Sequence, residues 1–282
     1  MDARRVRDEG LDKFYTSERF AKQCVDFLFE HFPRARFDLV VEPSAGNGSF
    51  VRHLSTATRL EAIDIAPEDP SIRKEDFFRF RPSTTTYSTI LVVGNPPFGK
   101  GCSLAIKFFN HAAEWANVIA FIVPRTFRRR SVQNKLSLDF HLVDDMEVPL
   151  RPCVFNPPMS VKCCFQIWER RAEPRAPLRM PTSHPHWEFL KHGPSDDRGQ
   201  PTPPAGADFA IRAYGGNIGE IREASLHTLR PKSWHWIRAI ENPSVLLERF
   251  SNLDFSEAEN TARQNSMGRA ELVCLYQSYL SL

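Results

Sequence analysis

The sequence predicts an α/β protein with a mostly parallel sheet and a small additional α+β unit at its C-terminus. Between residues 39 and 168, short runs of apolar and β-branched residues alternate with helical patterns, as in βαβ units. After residue 207, alternation and a helical pattern return beyond a stretch that is rich in proline. These two observations indicate one larger domain followed by a smaller unit.

Five successive strands are predicted. The first two cover residues 37–41 and 60–65, a short third segment precedes Asp76, the fourth covers 89–93, and the fifth, over 118–123, has the unbroken apolar composition of a fully buried strand. The amphipathic pattern over 103–115 predicts a helix between the last two. A later strand is predicted over 161–168, and we expect it to pair as a hairpin with residues 148–155. That pairing would give the parallel sheet an antiparallel end strand.

The chain is divided by its composition into three parts, with expected boundaries at 1–171, 172–207 and 208–282. Eight of the 22 prolines fall in the middle part, which indicates a linker. In the last part, the alternation from Phe209 to Tyr214 predicts the start of a hairpin, and residues 256–280 are predicted to be helical. This C-terminal unit is a candidate for substrate recognition.

Composition narrows the class of protein. The hydrophobic fraction of 41% and the charged fraction of 25% are those of an ordinary globular protein. No apolar run approaches the roughly 20 residues that a membrane helix needs. The six cysteines form no CxxC pair, and the first ten residues alternate arginine with acidic residues. We therefore expect a cytoplasmic protein with reduced thiols, no membrane association and no metal.

The end of the first strand carries a carboxylate and a glycine-containing turn. Glu42 is followed by Ser44, Ala45, Gly46 and Gly48. In open α/β sheets, ligands bind at the carboxyl edge, where such glycines let the backbone approach them closely. A tight turn without a ligand is the alternative interpretation of this segment taken alone.

Two further strand ends carry acidic residues. Asp64, followed by Ile65, lies 18 residues after Gly46 and can accept from both hydroxyls of a ribose. Asp76 can accept from an adenine amino group while Phe77 packs beside the base. In isolation, Asp64 is also typical of a solvated turn, and Asp76 of a helix N-cap. Acidic side chains at successive strand ends favour a nucleoside-binding site.

The fourth strand runs directly into Asn95-Pro96-Pro97-Phe98. The two prolines fix the backbone and remove two N–H donors, so a rigid loop presents an amide side chain and carbonyl oxygens. The Asn95 side-chain oxygen and the Pro96 carbonyl can each accept one hydrogen of a conjugated amino group, which directs the nitrogen lone pair at a methyl donor. Phe98 offers a face on which an extruded base can stack.

These motifs, in this order, resemble the class I S-adenosylmethionine-dependent amino-methyltransferases, specifically the adenine-N6 group with gamma-type motif order. The resemblance covers roughly residues 11–170. It implies a Rossmann-like methyltransferase sheet, S-adenosylmethionine as cofactor, and catalysis by the tetrapeptide 95–98. Phe14-Tyr15-Thr16, ahead of a helix predicted over 21–29, is similar to the N-terminal motif that helps to hold the methionine end. The implied cofactor-binding residues are Tyr15, Thr16, Glu42, Ser44, Ala45, Gly46, Gly48, Asp64, Ile65, Asp76, Phe77 and Asn95.

A nucleic-acid substrate is favoured by a basic cluster after the fifth predicted strand. The net charge of +3 permits such a partner without requiring it. The residues predicted to contact phosphates or bases are Lys100, Arg125, Phe127, Arg128 and Arg129. Trp234, Trp236 and Arg238 could add stacking and phosphate contacts, or the two tryptophans could be buried. The His184/His186 pair has no further ligand nearby.

We therefore predict an enzyme that methylates the N6 amino group of adenine in DNA. Three alternatives remain open at this stage. The same chemistry can act on adenine in RNA or on a protein glutamine amide. A binding module that retains the cofactor fold without turnover belongs to a different class.

Overall fold

The computed structural model describes residues 13–54, 59–83 and 85–281. It divides into two compact units, residues 1–177 and 178–282. The first unit carries the α/β sheet, and the second has a sheet and a core of its own.

The N-terminal unit contains nine strands and four α-helices among its described residues. The strands are β1 (Tyr15–Thr16), β2 (Leu39–Glu42), β3 (Arg59–Asp64), β4 (Arg73–Lys74), β5 (Ile90–Gly94), β6 (Val118–Pro124), β7 (Phe140–Glu147), β8 (Phe155–Asn156) and β9 (Cys163–Arg170). The helices are α1 (Glu18–His31), α2 (Val51–Leu54), α3 (Ser103–Ala112) and α4 (Arg130–Gln133).

Seven of these strands form one sheet in the order β4-β3-β2-β5-β6-β9-β7. The pairs among β4, β3, β2, β5 and β6 are parallel, whereas β9 runs antiparallel to both of its neighbours. The predicted mostly parallel α/β sheet is confirmed. The antiparallel strand is next to last, and β7 forms the edge beyond it.

The central strands are buried on both faces, as their unbroken apolar sequences predict. Every residue of β2, β5 and β6 is buried. One face packs against α3 through Phe108 and Phe109, and the other packs against α1 through Val25 and Leu28. The parallel pairing of these strands brings their carboxyl ends to one edge.

The predicted hairpin partner of the last strand is wrong. β9 pairs along its length with β7, residues 140–147, instead of with residues 148–155. Pro149 and Pro152 lie in the predicted segment and have no N–H to donate to a ladder, so a regular strand is disfavoured there. The end of that segment joins β8 and pairs with β1.

The C-terminal unit has a four-stranded antiparallel sheet in the order β10-β13-β11-β12. Its elements are β10 (Trp187–Phe189), β11 (Phe209–Arg212), β12 (Ile221–Arg222), β13 (Trp234–Ala239), α5 (Pro243–Ser251) and α6 (Arg269–Leu280). The hairpin predicted from Phe209 is formed by β11 and β12. The segment predicted as a linker contains β10, whose three residues are too short a run to show a period among the surrounding prolines.

The long C-terminal helix predicted over 256–280 is broken in the structure. A 3-10 turn spans Phe255–Glu259, and α6 begins only at Arg269. The Gly268 amide donates to Glu271 Oε2 at 2.7 Å, which satisfies one of the free N–H groups at the start of α6. The apolar pattern continues across this break, and the local cap decides where the helix begins.

The aromatic residues singled out in the C-terminal unit are structural. Trp234 and Trp236 are buried beneath Leu226 and Leu229, so they offer no exposed face for stacking. The His184 ring stacks on Trp187 at 4.5 Å between centroids. Among the described residues, no group of three or more His, Cys, Asp or Glu side chains is arranged to hold a metal, and no helix is long and apolar enough to span a membrane.

The stability of the C-terminal unit should depend on the protonation of His235. Burial lowers the pKa of this ring to about 4, while its Nε2 lies 2.8 Å from the Met267 carbonyl oxygen. The folded state therefore favours neutral His235. Its contribution to the free energy of unfolding is complete above about pH 6.5 and is lost as the pH falls toward 4.

Urea unfolding of the full chain between pH 7 and pH 4 measures this contribution. His235→Gln keeps an N–H donor for Met267. We expect this variant to lose on the order of 3 kcal/mol less of its free energy of unfolding between pH 7 and pH 4 than the wild type. Burial also lowers the pKa values of His111 and His184, so part of the loss should remain in this variant. An unchanged pH dependence in His235→Gln would contradict the assignment.

Candidate functional site

The candidate site lies at the carboxyl edge of the parallel sheet, where β2, β3 and β5 end side by side. Their last residues are Glu42, Asp64 and Gly94, and Asn95 follows at once. A Cβ placed on Gly94 would lie 3.3 Å from Glu42 Cγ, so these two strand ends are in contact. Residues predicted from separate segments of the sequence are thus brought to one edge.

The backbone conformation of the loop after β2 requires glycine at positions 46 and 48. Gly46 and Gly48 have φ values of +51° and +79°, which favour glycine. A Cβ on Gly46 would also lie 2.7 Å from the Tyr15 ring, so any side chain there would displace that ring. The buried Ala45 anchors the loop through its amide, which donates to the Ile63 carbonyl at 3.0 Å.

Asp64 links the ends of β2 and β3. Its Oδ2 accepts from the Gly46 amide at 2.8 Å, and its Oδ1 accepts from the Ala66 amide at 2.7 Å. Each carboxylate oxygen can accept more than one hydrogen, so acceptor capacity remains for ribose hydroxyls. Ile65 beside it is 55% exposed, which is unusual for isoleucine and leaves an apolar surface available to a base.

Glu42 is an acidic residue in an apolar setting. Its side chain is buried at the end of β2, and its Oε2 has no hydrogen-bond partner within the described part of the chain. Burial, and then the negative charge of Asp64, raise the pKa of Glu42 well above its ordinary value. Burial therefore favours the protonated form of this carboxyl group, and a positive charge beside it would favour the ionised form.

The Asn95 amide is fixed at one end and unpaired at the other. Its Nδ2 donates to the Phe14 carbonyl oxygen at 3.1 Å. Its Oδ1 is buried and finds no partner in the regions that the structure describes. An unpaired buried acceptor is costly in a folded protein, and this one is available to an amino group.

The rest of the Asn-Pro-Pro-Phe loop is held rigidly. The Phe98 carbonyl accepts from the Leu104 and Ala105 amides at 3.1 and 3.3 Å, which ties the loop to the start of α3. Gly99 has a φ of +67°, and a Cβ there would lie 2.8 Å from Leu104. The Phe98 ring is partly buried and contacts the apolar clusters on both faces of the sheet.

Four buried polar atoms around this edge lack a hydrogen-bond partner among the described residues. They are Thr16 Oγ1, Glu42 Oε2, Ser44 Oγ and Asn95 Oδ1. Unsatisfied buried polar groups are rare in native proteins, and several at one edge indicate a polar ligand. The hydroxyl groups of Thr16 and Ser44 and the carboxyl group of Glu42 can bind the polar groups of an amino-acid moiety. The Asp64 carboxylate can accept hydrogen bonds from a ribose. The residues present therefore fit S-adenosylmethionine.

Phe77 does not occupy its predicted position beside a base. Asp76 accepts from the Phe78 amide at 3.0 Å and caps a 3-10 turn over Phe77–Arg79. This turn directs Phe77 into the core, where its ring stacks on Phe108 at 5.0 Å between centroids. Phe78 is the partly exposed ring of the pair.

The basic cluster after β6 is mostly internal, which corrects three of its predicted roles. Phe127 is fully buried in the core, so it cannot stack on a base in this conformation. Arg128 forms ion pairs with Asp145 and Glu147 on β7, and Arg125 also pairs with Glu147. Their side chains are only 24% and 16% exposed. β7 supplies the carboxylates, and its register could not be read from the arginine-rich sequence.

Lys100 is exposed directly after the Asn-Pro-Pro-Phe loop, and its predicted phosphate contact stays a prediction. The predicted phosphate contact of Arg129, which lies at the N-terminus of α4, also stays a prediction.

A second Asn-Pro-Pro sequence, Asn156-Pro157-Pro158, was not recognised from the sequence. In the structure, Asn156 pairs with Tyr15, and the Ser17 amide donates to the Val154 carbonyl at 2.7 Å. This loop therefore lies against β1, next to the residue whose carbonyl holds Asn95. The repeated tripeptide was the available signal, and only the β1–β8 pairing shows that both loops contact the segment that contains Phe14 and β1.

No protein-family model and no curated protein matches this chain. Among solved structures, the 23S rRNA methyltransferase ErmE is similar over 57% of this chain and 71% of its own, with 18% identity and a TM-score of 0.42. A putative RNA methyltransferase from Pyrococcus horikoshii is similar over 57% and 88%, with 14% identity and a TM-score of 0.43. Magnesium protoporphyrin IX methyltransferase from Synechocystis PCC 6803, solved with bound S-adenosylmethionine, is similar over 55% and 79%, with 11% identity and a TM-score of 0.37. At these identities the similarity concerns the fold alone.

Proposed function

We propose that this protein is an S-adenosylmethionine-dependent methyltransferase that acts on the N6 amino group of adenine in DNA. The observation that carries the proposal is the Asn95 amide. Its nitrogen is engaged by Phe14, and its buried oxygen is left as an unpaired acceptor at the exit of β5. An amino group that donates to this oxygen would satisfy it.

The Asn95 side-chain oxygen and the Pro96 carbonyl can activate an amino group for methyl transfer. An exocyclic amino group is a weak nucleophile because its lone pair is delocalised into the ring. Hydrogen bonds from its two hydrogens to Asn95 Oδ1 and the Pro96 carbonyl draw the nitrogen toward tetrahedral geometry and free the lone pair. The loop is fixed by two prolines and by its bonds to α3, so this polarisation needs little reorganisation.

The cofactor would supply a methyl group activated by a sulfonium. The amino nitrogen held by Asn95 and Pro96 would take this methyl group, the sulfur would leave as a neutral thioether, and one amino proton would pass to solvent. On this chain, Thr16, Glu42 and Ser44 offer polar atoms for the amino-acid end. Asp64 and Ile65 offer an acceptor and an apolar surface for the nucleoside end.

The same unit has a cleft at the amino ends of β2 and β3, the opposite edge of the sheet from Asn95, so backbone contacts there would lie beyond the methylated nucleotide. The cleft has a volume of about 610 Å³, and its described lining includes four arginines and two glutamates. Arg59 and Arg79 are 63% and 87% exposed, in contrast to the internal Arg125 and Arg128. Exposed ion pairs contribute little, so phosphates can replace the carboxylate partners of these arginines. The surface that we propose for the nucleic-acid backbone is therefore this arginine cleft.

The first test is transfer of labelled methyl groups to duplex DNA, single-stranded DNA and total RNA. Asn95→Ala should lower kcat on the accepted polymer by about a hundredfold or more, because one preorganised acceptor is removed. Asn252→Ala, which removes an asparagine side chain that donates to the Glu248 carbonyl in the C-terminal unit, is the matched control and should leave the rate unchanged.

Label in DNA that digests to N6-methyladenine and disappears in Asn95→Ala would support the proposal. Label found only in RNA would replace DNA with RNA as the substrate. Cofactor binding without transfer to any of these polymers would overturn the nucleic-acid assignment and direct the search to protein amides.

Cofactor binding should release a proton from Glu42. In the ligand-free protein burial raises the pKa of this carboxyl group, and a cationic amino group beside it would lower that pKa. Affinity should therefore rise with pH through the range between the free and bound pKa values. Titration calorimetry in buffers of different ionisation enthalpy measures the released proton. Glu42→Gln should abolish the release and weaken binding about tenfold, and Glu30→Gln is the exposed control.

Binding of nucleic acid should depend on salt through the arginine cleft. Affinity falls as salt rises, so the slope of log affinity against log salt is negative. Substituting Arg59 and Arg79 with Gln should reduce the magnitude of this slope by about one for each phosphate that these side chains no longer neutralise. Anisotropy titrations of a labelled duplex at several salt concentrations measure this slope. Arg198→Gln and Arg222→Gln, both exposed on the C-terminal unit, form the matched control pair. Equal slopes for the two double variants would contradict the assignment of the cleft.

A further inference from the structure

The two-residue strand β1 is connected to four separate loops around the site. Its backbone pairs with β8, and the preceding Phe14 carbonyl accepts from Asn95. The Tyr15 ring lies against Gly46, and the Tyr15 hydroxyl donates to Glu68 Oε1 at 2.6 Å. Short strands of this kind have few ladder hydrogen bonds, so their position depends on such additional contacts.

Glu68 is well placed to hold β1. It lies in the loop after β3, and its amide donates to the Gly46 carbonyl at 2.9 Å. Its carboxylate receives the Tyr15 hydroxyl. The Tyr15 side chain therefore crosses the Gly46 turn and is fixed on its far side. Burial and the contact with Glu68 raise the pKa of Tyr15, so the phenol stays protonated and remains a donor at neutral pH.

The Phe14 carbonyl decides which way the Asn95 amide faces. A carbonyl oxygen can only accept, so it selects the Nδ2 side of the amide and leaves Oδ1 for the substrate. If β1 moved away, the amide would lose this restraint and could rotate. An Asn95 side chain with its Nδ2 toward an amino group would present a donor to a donor.

We propose that Glu68 is a positioning residue, and that its hydrogen bond with Tyr15 is a latch that holds Phe14 against Asn95 and thereby orients the catalytic amide. This inference rests on the proposed function, because it assigns Asn95 the role of acceptor. It adds a residue that no motif in the sequence marks, at a position outside the four-residue catalytic loop.

The test separates rate from binding. Tyr15→Phe removes only the hydroxyl, and Glu68→Ala removes its acceptor. At saturating cofactor and nucleic acid, each should lower kcat about tenfold and leave the KM for nucleic acid unchanged, since charge-assisted hydrogen bonds are the strong ones. The double variant should be no slower than either single variant, because both remove the same bond. Tyr279→Phe in the C-terminal unit is the matched control for removal of a hydroxyl.

The strongest test is whether the effect of Tyr15→Phe on kcat requires Asn95. Tyr15→Phe introduced into the Asn95→Ala protein should cause no further loss of rate, because the residue that the latch orients is already absent. Wild-type kcat in Tyr15→Phe, or a full additional loss in the Asn95→Ala background, would overturn the inference.

A readout without turnover distinguishes failure of the latch from failure of the proposed function. The Asn95 side-chain amide resonance, assigned by its disappearance in Asn95→Ala, should shift and exchange faster with solvent in Tyr15→Phe. If the wild type methylates no polymer, the proposed function fails, and the latch is judged by this resonance alone. An unchanged resonance in Tyr15→Phe and Glu68→Ala would overturn the latch.

Discussion

The parallel pairing of β2 with β5 is the constraint on which the rest of the site depends. Both strands are completely buried, and their register places Val41 opposite Val92, so they end at nearly the same height. Glu42 and Gly94 therefore meet at the sheet edge. Because apolar faces on both sides hold the pair, the loops that follow can carry polar atoms without loss of order.

That edge contains four buried polar atoms that have no hydrogen-bond partner among the described residues. Burying Glu42 Oε2 and Asn95 Oδ1 without partners costs free energy, which the apolar packing beneath them offsets. Such a cost at a strand edge is typical of functional sites, where a ligand completes the hydrogen bonds. Around this core, β1 acts as the connecting element, since it contacts both the Gly46 turn and the Asn95 amide.

Several features of the fold were predictable because they depend on local sequence. Continuous apolar runs give buried parallel strands, and Gly46 with Gly48 gives a turn that only small residues tolerate. Other features depend on partners far along the chain. The sequence shows an arginine-rich segment but not that Asp145 and Glu147 neutralise two of its members. It shows Phe77 beside Asp76 but not that a capped turn buries the ring.

The sequence by itself therefore determined the class of fold and the central strands β2, β3, β5 and β6, together with the chemical groups that follow them. These follow from hydrophobic pattern and turn chemistry, which act over a few residues. The tertiary structure decided which of those groups meet. Asn95 faces the Phe14 carbonyl across 81 positions of sequence, and Tyr15 reaches Glu68 across 53. Contacts of this range are set by how the sheet and the short β1 strand pack, and no local pattern encodes them.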